Sequence, residues 1–307
     1  MLIRDAAKAK TVEAIPTVAA LMASVSEDEL RSWVKWFAVP RHFIAQPQAN
    51  REAAQTIADL FTEWGYDVSL QGEFNNVVAR PRRLKGKMLL VGAHYDSTAF
   101  TPGADDNGSA VAAMLGCAKA IAQSGAPMPV MFVSFNREED GLMGSIDFVE
   151  HLTAAQQNEI ECAHILEMVG YSSDQPNSQV TPTGLPIRIP TTGNFLGLLA
   201  NGESANHVDQ ILQNAKSYLP ELPTLGLRVV LGVEKYLPVL HRSDHAPFWT
   251  KKIPSVMWTD TSEFRNPHYH QDSDLPETLN YLFLRRVTQL LIATVAASSL
   301  LYDARHK

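Results

Sequence analysis

MLLVGAHYDSTAFTPGADDNGSAVAAMLGCAKAIAQSGAPMPVMFVSFNREED, residues 88–140, decides the fold. Its first limb carries an uninterrupted apolar run, Met88 to Val91, typical of a strand buried on both faces. The alanine-rich stretch from Asn107 to Gln123 reads as a helix, and PVMFVSF repeats the buried-strand pattern. Outward from this unit, AHILEMVGY (163–171) and PSVMWTD (254–260) read as further buried strands, YDVSL and NNVVARP as shorter ones. Helices are expected after Ser26, which can cap with Glu29 completing the box, from Asn50 to Trp64 with Gly65 terminating, and from Gly144 to Leu152. Pro276 is expected to open a long amphipathic helix reaching about Tyr302. Strands alternating with helices predict an α/β chain, a three-layer αβα sandwich around a mostly parallel, mixed central sheet.

The pattern weakens over residues 172–240, where Pro, Gly, Ser and Asn are frequent. Helical pieces are expected at 195–201 and 204–216, with LRVVLG (227–232) as a strand. With no internal repeat and no low-complexity linker, residues 1–307 read as one domain. Residues 1–46 would be a helical lead-in and 172–240 an insertion near the site. Of the 307 residues, 45% are hydrophobic and 19% charged, enough for a sizeable core and too ordered a composition for a disordered chain. The formal net charge of −7 disfavours a nucleic-acid partner. The most apolar stretch, 290–301, is too short to span a bilayer, so no membrane partner is expected. Cys117 and Cys162 cannot form a disulfide scaffold, and the N-terminus lacks a clean charged-then-apolar signal pattern. Both favour a cytoplasmic location, though a removed signal peptide is compatible with them. Oligomeric state is not legible.

Ligands of open α/β sheets bind beyond the carboxyl ends of the strands. There the sequence places His94-Tyr95-Asp96, then Asp105 and Asp106 in GADDNGS, Glu138-Glu139-Asp140, Glu167, and His268 and His270 in NPHYHQDSD. Singly these have bland readings. His94 alone is more often a hydrogen-bonded core histidine, either aspartate before a helix is usually an N-cap, and the acidic triplet could be a solvated turn. Together, histidines and carboxylates at converging strand ends match the nitrogen and oxygen ligands zinc prefers. Five ligands exceed one tetrahedral zinc, whereas a carboxylate shared by two metals would use them all. Of the adjacent pair Glu138 and Glu139, one can bind metal while its neighbour takes a proton from water.

HYDS, GADDNGSA, REEDGLMGS, LEMVGY, SDHAPFW and TDTSEFRNPHYHQDSDLPETL, in this order across about residues 47–302, resemble the co-catalytic zinc aminopeptidases. That family is similar to bacterial leucyl aminopeptidases and shares a fold with glutamate carboxypeptidase and glutaminyl cyclase. The resemblance implies a metallo-aminopeptidase holding two zinc ions and acting on peptides with a free N-terminus. His94 and Glu167 would bind the first zinc, Glu139 and His270 the second, and Asp105 would bridge them. Glu138 would be the general base, Asp96 would steady His94, and Tyr269 would polarise the substrate carbonyl. The resemblance also implies a cis peptide after the bridging aspartate, at Asp105–Asp106. One departure is Glu167, where many members have aspartate. Asp244 and His245 could support the site or line its wall. The competing readings are a glutaminyl cyclase, which uses one zinc; a carboxypeptidase, for which Arg242 and Arg265 could bind a carboxylate; and a non-catalytic binding domain.

Overall fold

A computed structural model describes residues 1–82, 86–126, 128–185 and 187–306, with side chains to residue 299. Nine strands form one sheet: β1 (Leu2–Asp5), β2 (Asp67–Gln71), β3 (Asn76–Arg80), β4 (Met88–His94), β5 (Val130–Phe135), β6 (Ile160–Glu167), β7 (Leu196–Ala200), β8 (Thr224–Arg228) and β9 (Ser255–Thr259). Their order is β1-β8-β7-β9-β6-β4-β5-β3-β2. β5, β4, β6 and β9 run parallel at the centre, and β7 with β8 forms a second parallel pair set antiparallel to β9. The helices are α1 (Pro16–Ala23), α2 (Glu27–Phe37), α3 (Pro47–Glu63), α4 (Ala110–Gln123), α5 (Met143–Glu150), α6 (Ala154–Glu159), α7 (Ala205–Tyr218), α8 (His245–Thr250) and α9 (Tyr281–His306).

Alternation along the strands divides the core. Leu89, Val91 and Ala93 of β4 join Phe132, Leu166 and Trp258 in the larger layer, packed under α1, α2, α3, α4, α7 and α9. Met88 and Leu90 face the other way, with Val133, Phe135 and Ile165, against Phe148 of α5 and Phe248 of α8. Every residue of β4 and β5 is buried, as the continuous apolar runs require of strands covered on both faces. This is the expected three-layer sandwich, its parallel centre flanked by antiparallel strands.

Local expectations fare unevenly. Ser26 caps α2, accepting from the Glu29 amide, and Gly65 takes the left-handed position after α3 at φ +88°. α3 starts at Pro47, not at Asn50. Asn50 is buried instead and donates to the Arg41 carbonyl and the Asn136 side chain. Residues 195–201 are not helical: LGLLA is the buried strand β7. Such short apolar runs are ambiguous by periodicity alone. The strand expected over 227–232 lies earlier, at Thr224–Arg228, and Pro276 opens only a single 3₁₀ turn before α9. Residues 172–240 thus supply β7, α7 and β8 to the sheet rather than standing outside it, and the lead-in 1–46 contributes the edge strand β1, paired with β8. Cys117 and Cys162 are both buried free thiols. Among the described residues, no helix is long and apolar enough to cross a membrane.

His164 of β6 lies in the centre of this core and accepts a hydrogen bond from the Trp258 indole at 3.2 Å. Burial, aided by His207, lowers its pKa to about 3, so it is neutral in the fold. In the unfolded chain it titrates near its ordinary value, about 6.5. Between these values the unfolded state binds more protons, so stability falls as pH drops through that window. His164→Gln, retaining an acceptor, should flatten this acid limb by up to about 1.4 kcal/mol per pH unit, measured by denaturant unfolding from neutrality to pH about 4.

Candidate metal centre

β4, β6 and β9 end at one edge, and the loops leaving β4 and β5 turn over the same point. β4 ends in His94 and β6 in Glu167. The loop after β5 carries Glu138 and Glu139. An irregular turn, residues 104–109, leads Asp105 and Asp106 into α4. The backbone is left-handed at Arg137, Met168 and His270, each at or next to one of these side chains. Non-glycine residues in that conformation tend to be held at functional sites.

Two groups of ligand-type atoms result: His94 with Glu138 and Glu167, and Asp106 with Glu139 and His270. Asp106 joins them. Its Oδ1 lies 3.4 Å from His94 Nε2 and its Oδ2 3.1 Å from His270 Nε2. Glu167 Oε2 is 3.5 Å from His94 Nε2, and Glu139 Oε2 is 3.2 Å from His270 Nε2. Glu138 stands further back, 3.9 Å from His94 Nε2.

Asp106, not Asp105, therefore joins the two groups, and the cis peptide is Asp106–Asn107, one residue beyond the expected bond. Asp105 faces away from both histidines. Its Oδ1 accepts from the Gly170 amide at 2.9 Å and its Oδ2 from the Asn266 side chain at 2.7 Å. Gly170 permits that approach, since a Cβ there would stand 2.9 Å from Asp105 Oδ1. Burial, then repulsion from Asp105, pushes Asp260 well above the ordinary carboxylate range. Asp105 is thus a strut between the β6 and β9 loops.

Neighbouring side chains lock the turn. Asp274 accepts from the amides of Asp105 and Asp106 at 2.9 and 3.1 Å. Asn107 donates to the Leu166 carbonyl and accepts from the Met168 amide, clasping the backbone on either side of Glu167. Asp96 lies 3.4 Å from His94 Nδ1 and also accepts from the amides of Glu138 and Glu139. It faces His94 and holds the loop bearing two carboxylates. Ser243 donates to Glu167 Oε2 at 2.7 Å. Below, the fully buried Arg41 guanidinium donates to the carbonyls of Phe37, Val39, Tyr95, Pro102 and Gly103. Sequence reading missed Arg41, Ser243, Asn266 and Asp274. The last three lie within quoted motifs, but nothing in their types separates a clasp from a loop residue. Asp244 is buried near His94 with neither oxygen bonded among the described residues, and burial raises its pKa to about 7. His245 turns away to the Leu240 carbonyl, and His268 pairs with Ser273.

The electrostatics fit a cation. Burial alone would lower the pKa of His94, but Glu167 and Glu138 outweigh it and raise it. His270 is likewise pushed up to about 10 by Asp106 and Glu139 against burial. Burial, then Asp106, lifts Glu139 to about 7. Both ring nitrogens of His94, Asp106 Oδ1 and Glu139 Oε1 are buried without a hydrogen-bond partner among the described residues. Unpaired buried polar atoms are costly. Zinc bonds of about 2.0–2.1 Å space tetrahedral ligand atoms about 3.3 Å apart, close to the separations seen here. Alongside lies a cavity of about 540 Å³, with Glu138, Glu139, Tyr269 and His270 in its lining.

Comparison with known proteins agrees with this geometry. Peptidase family M28 matches residues 76–218. The uncharacterised protein YfbL of Escherichia coli is 29% identical over 269 residues, 82% of this chain and 80% of that protein. Aminopeptidase YwaD of Bacillus subtilis is 27% identical over 222 residues, 71% of this chain but only 43% of its own length. Among solved structures, the LapA aminopeptidase of Legionella pneumophila superposes with a TM-score of 0.73 at 19% identity, covering 95% of this chain and 78% of LapA. BSAP, a zinc aminopeptidase from Bacillus subtilis, gives 0.57 at 25% identity, over 73% of this chain and 49% of that one. Glutaminyl cyclase of Macrostomum lignano gives 0.72 at 15% identity, over 97% and 98% of the two chains. The resemblance read from the sequence holds: the chain is a relative of the M28 peptidases, with their fold.

The assignment of the two aspartates is separable by experiment. Asp106→Asn should weaken zinc binding at least tenfold, and should also lower the melting temperature of the zinc-free protein through its lost pairing with His94 and His270. Asp105→Asn should instead leave zinc affinity within about threefold, while costing about 1–3 kcal/mol of stability through a lost buried acceptor. Zinc titration calorimetry beside thermal unfolding reads both, and reversed results would restore Asp105 as the ligand.

Proposed function

We infer that the chain is a zinc-dependent aminopeptidase that removes N-terminal residues from peptides and works with two zinc ions. The observation that carries this reading is Asp106, buried and directed at two histidines that each have further carboxylates beside them. His94 and Glu167 would hold one zinc, Glu139 and His270 the other, and Asp106 both. Bound zinc supplies Lewis acidity and brings the pKa of water toward neutrality.

The chain's own residues account for the proton transfers. Glu138 belongs to the His94 group but stands further from His94 Nε2, at 3.9 Å, than Asp106 or Glu167, and burial raises its pKa well above the usual carboxylate range. A carboxylate so tuned can take a proton from the attacking water and return it to the leaving amine. Tyr269 accepts a hydrogen bond from Arg242 at 3.1 Å, which leaves its own proton free to donate. Burial raises its pKa, keeping that proton in place. Its hydroxyl is suited to polarise the scissile carbonyl. The carboxylates lining the cavity favour a free α-ammonium group on the substrate.

The arginines do not support the carboxypeptidase reading. Arg265 is buried against Gln179 and the Tyr171 carbonyl, and Arg242 is paired with Glu263 and Tyr269. Two complete ligand groups likewise disfavour a one-zinc cyclase or a binding domain.

Aminoacyl-anilides should be hydrolysed, with activity lost to chelator and N-acetylated substrates inert. Rapid turnover of the N-acetylated series would overturn the reading. Glu138→Gln should keep both metals and lose kcat by about 10²–10⁴. Glu139→Gln should instead lose metal, and added zinc should partly restore activity. Metal stoichiometry beside kcat distinguishes them; exchanged outcomes would exchange the two roles.

A further inference from the structure

The segment joining α2 to α3, with the first turn of α3, supplies none of the ligands yet touches both loops that carry them. Arg41 fastens the loop after β4 near its two ends. Its guanidinium donates to the Tyr95 carbonyl, between His94 and Asp96, and to the Gly103 carbonyl, shortly before Asp106. The Arg41 amide donates to Ser97 between them. The Arg41 carbonyl in turn accepts from the Asn50 side chain at 2.8 Å. Asn50 and Asn136 exchange two hydrogen bonds through their side-chain amides, at 2.9 and 3.0 Å. Asn136 follows β5 directly, and its Oδ1 also accepts from the Arg137 amide at 3.0 Å. A continuous buried connection, Gly103 to Arg41 to Asn50 to Asn136 to Arg137, therefore runs from the turn bearing Asp106 to the root of the loop bearing Glu138 and Glu139. His42 adds a second tie. Its Nδ1 accepts from the Ile44 and Ala45 amides, so Nε2 carries the proton and donates to Asp140, 3.2 Å away.

Stability alone does not call for this chemistry. α3 buries Asn50 on one face with Ala53, Ala54, Ile57 and Phe61, where an apolar residue would need no partner. Arg41, Asn50 and Asn136 are each no more than 2% exposed, so their donors and acceptors must be met within the fold. Asparagine suits both places because one short side chain offers a donor and an acceptor. The grip of Asp96 on the Glu138 and Glu139 amides is longer, at 3.2 and 3.3 Å. Arg137, at the root of that loop, is left-handed with φ +56°, a conformation that its surroundings must hold.

We propose that the reciprocal Asn50–Asn136 pair is a positioning device for the second zinc: it sets the spacing between Asp106 and Glu139, which lie on the two loops it connects. This rests on the two-zinc reading. Of the first zinc's ligands, His94 and Glu167 end the paired parallel strands β4 and β6 and keep their spacing through the sheet. The second zinc has no such support. Asp106, Glu139 and His270 all come from irregular segments. Loosening the pair is therefore felt at one zinc and not at the other.

The experiment is zinc titration calorimetry on the full chain, resolving two binding steps, beside thermal unfolding of the zinc-free protein. Asn50→Ala and Asn136→Ala should each weaken the second step by about tenfold and leave the first within about threefold. The double variant should lose no more than the larger of the two, because both changes remove the same contact. Ile57→Val, on the same buried face of α3, is the control. It lowers the melting temperature without touching the pair, and should leave both steps within about threefold. Asn50→Ser, too short to reach Asn136, repeats the test should Asn50→Ala fail to fold. Equal weakening of both steps, an unchanged second step, or losses that multiply in the double variant would overturn the proposal, while two zincs in the parent protein would leave the two-metal reading standing. A parent protein that binds a single zinc would overturn that reading and the proposal with it.

Discussion

Carboxylates crowded together away from water repel one another, and this repulsion is the constraint around which the structure is arranged. Asp106, Glu138, Glu139 and Glu167 meet where three segments of chain converge, and each is held by contacts it cannot easily leave. Asp274 grips the turn through its amides, Asp96 the Glu138–Glu139 loop through its amides, and Ser243 holds Glu167 directly. Most of these clasps act on backbone, so the carboxylate oxygens stay free to face inward. Arg41 contributes from below. Its donors fasten the end of α2 to the loop after β4.

The fold was legible because its central strands are covered on both faces. A segment such as MLLVGA has no polar side to confuse, and its neighbours repeat the pattern at crossover spacing. β7 escaped notice for the same reason in reverse. LGLLA is short and wholly apolar, with no β-branched residue, and such a run fits a buried helix equally well. β1, with alternating exposure at a sheet edge and only a few residues long, carries almost no signal of its own.

The site was legible in its residue types and ambiguous in its register. Asp105 and Asp106 have identical chemistry, and in an irregular turn neighbouring side chains follow no fixed period. Which of them faces the histidines is set by partners far along the chain: Gly170 and Asn266 take up Asp105, and Asp274 fixes both amides. Arg41 was invisible for another reason. An isolated arginine in a polar stretch reads as surface, and only the assembled structure supplies enough carbonyls to bury it. Glu167 reaches the cluster despite the extra methylene relative to aspartate, and Ser243 donates to the same Oε2 that faces His94.

The pairing of β1 with β8 has a bearing on how the molecule is made. Leu2 opposes Arg228, so during synthesis β1 has no sheet partner until β8, far along the chain, has followed. Closing so long a loop comes late among the ordering events of a polypeptide. The central strands β4, β5 and β6 can pair well before then, and they carry His94, the Glu138–Glu139 loop and Glu167. Synthesis from one end therefore separates the two parts of the site in time: the charged cluster can begin to assemble on a half-built sheet, while the adjoining cavity waits for Ile3, part of its lining, to return to the far edge.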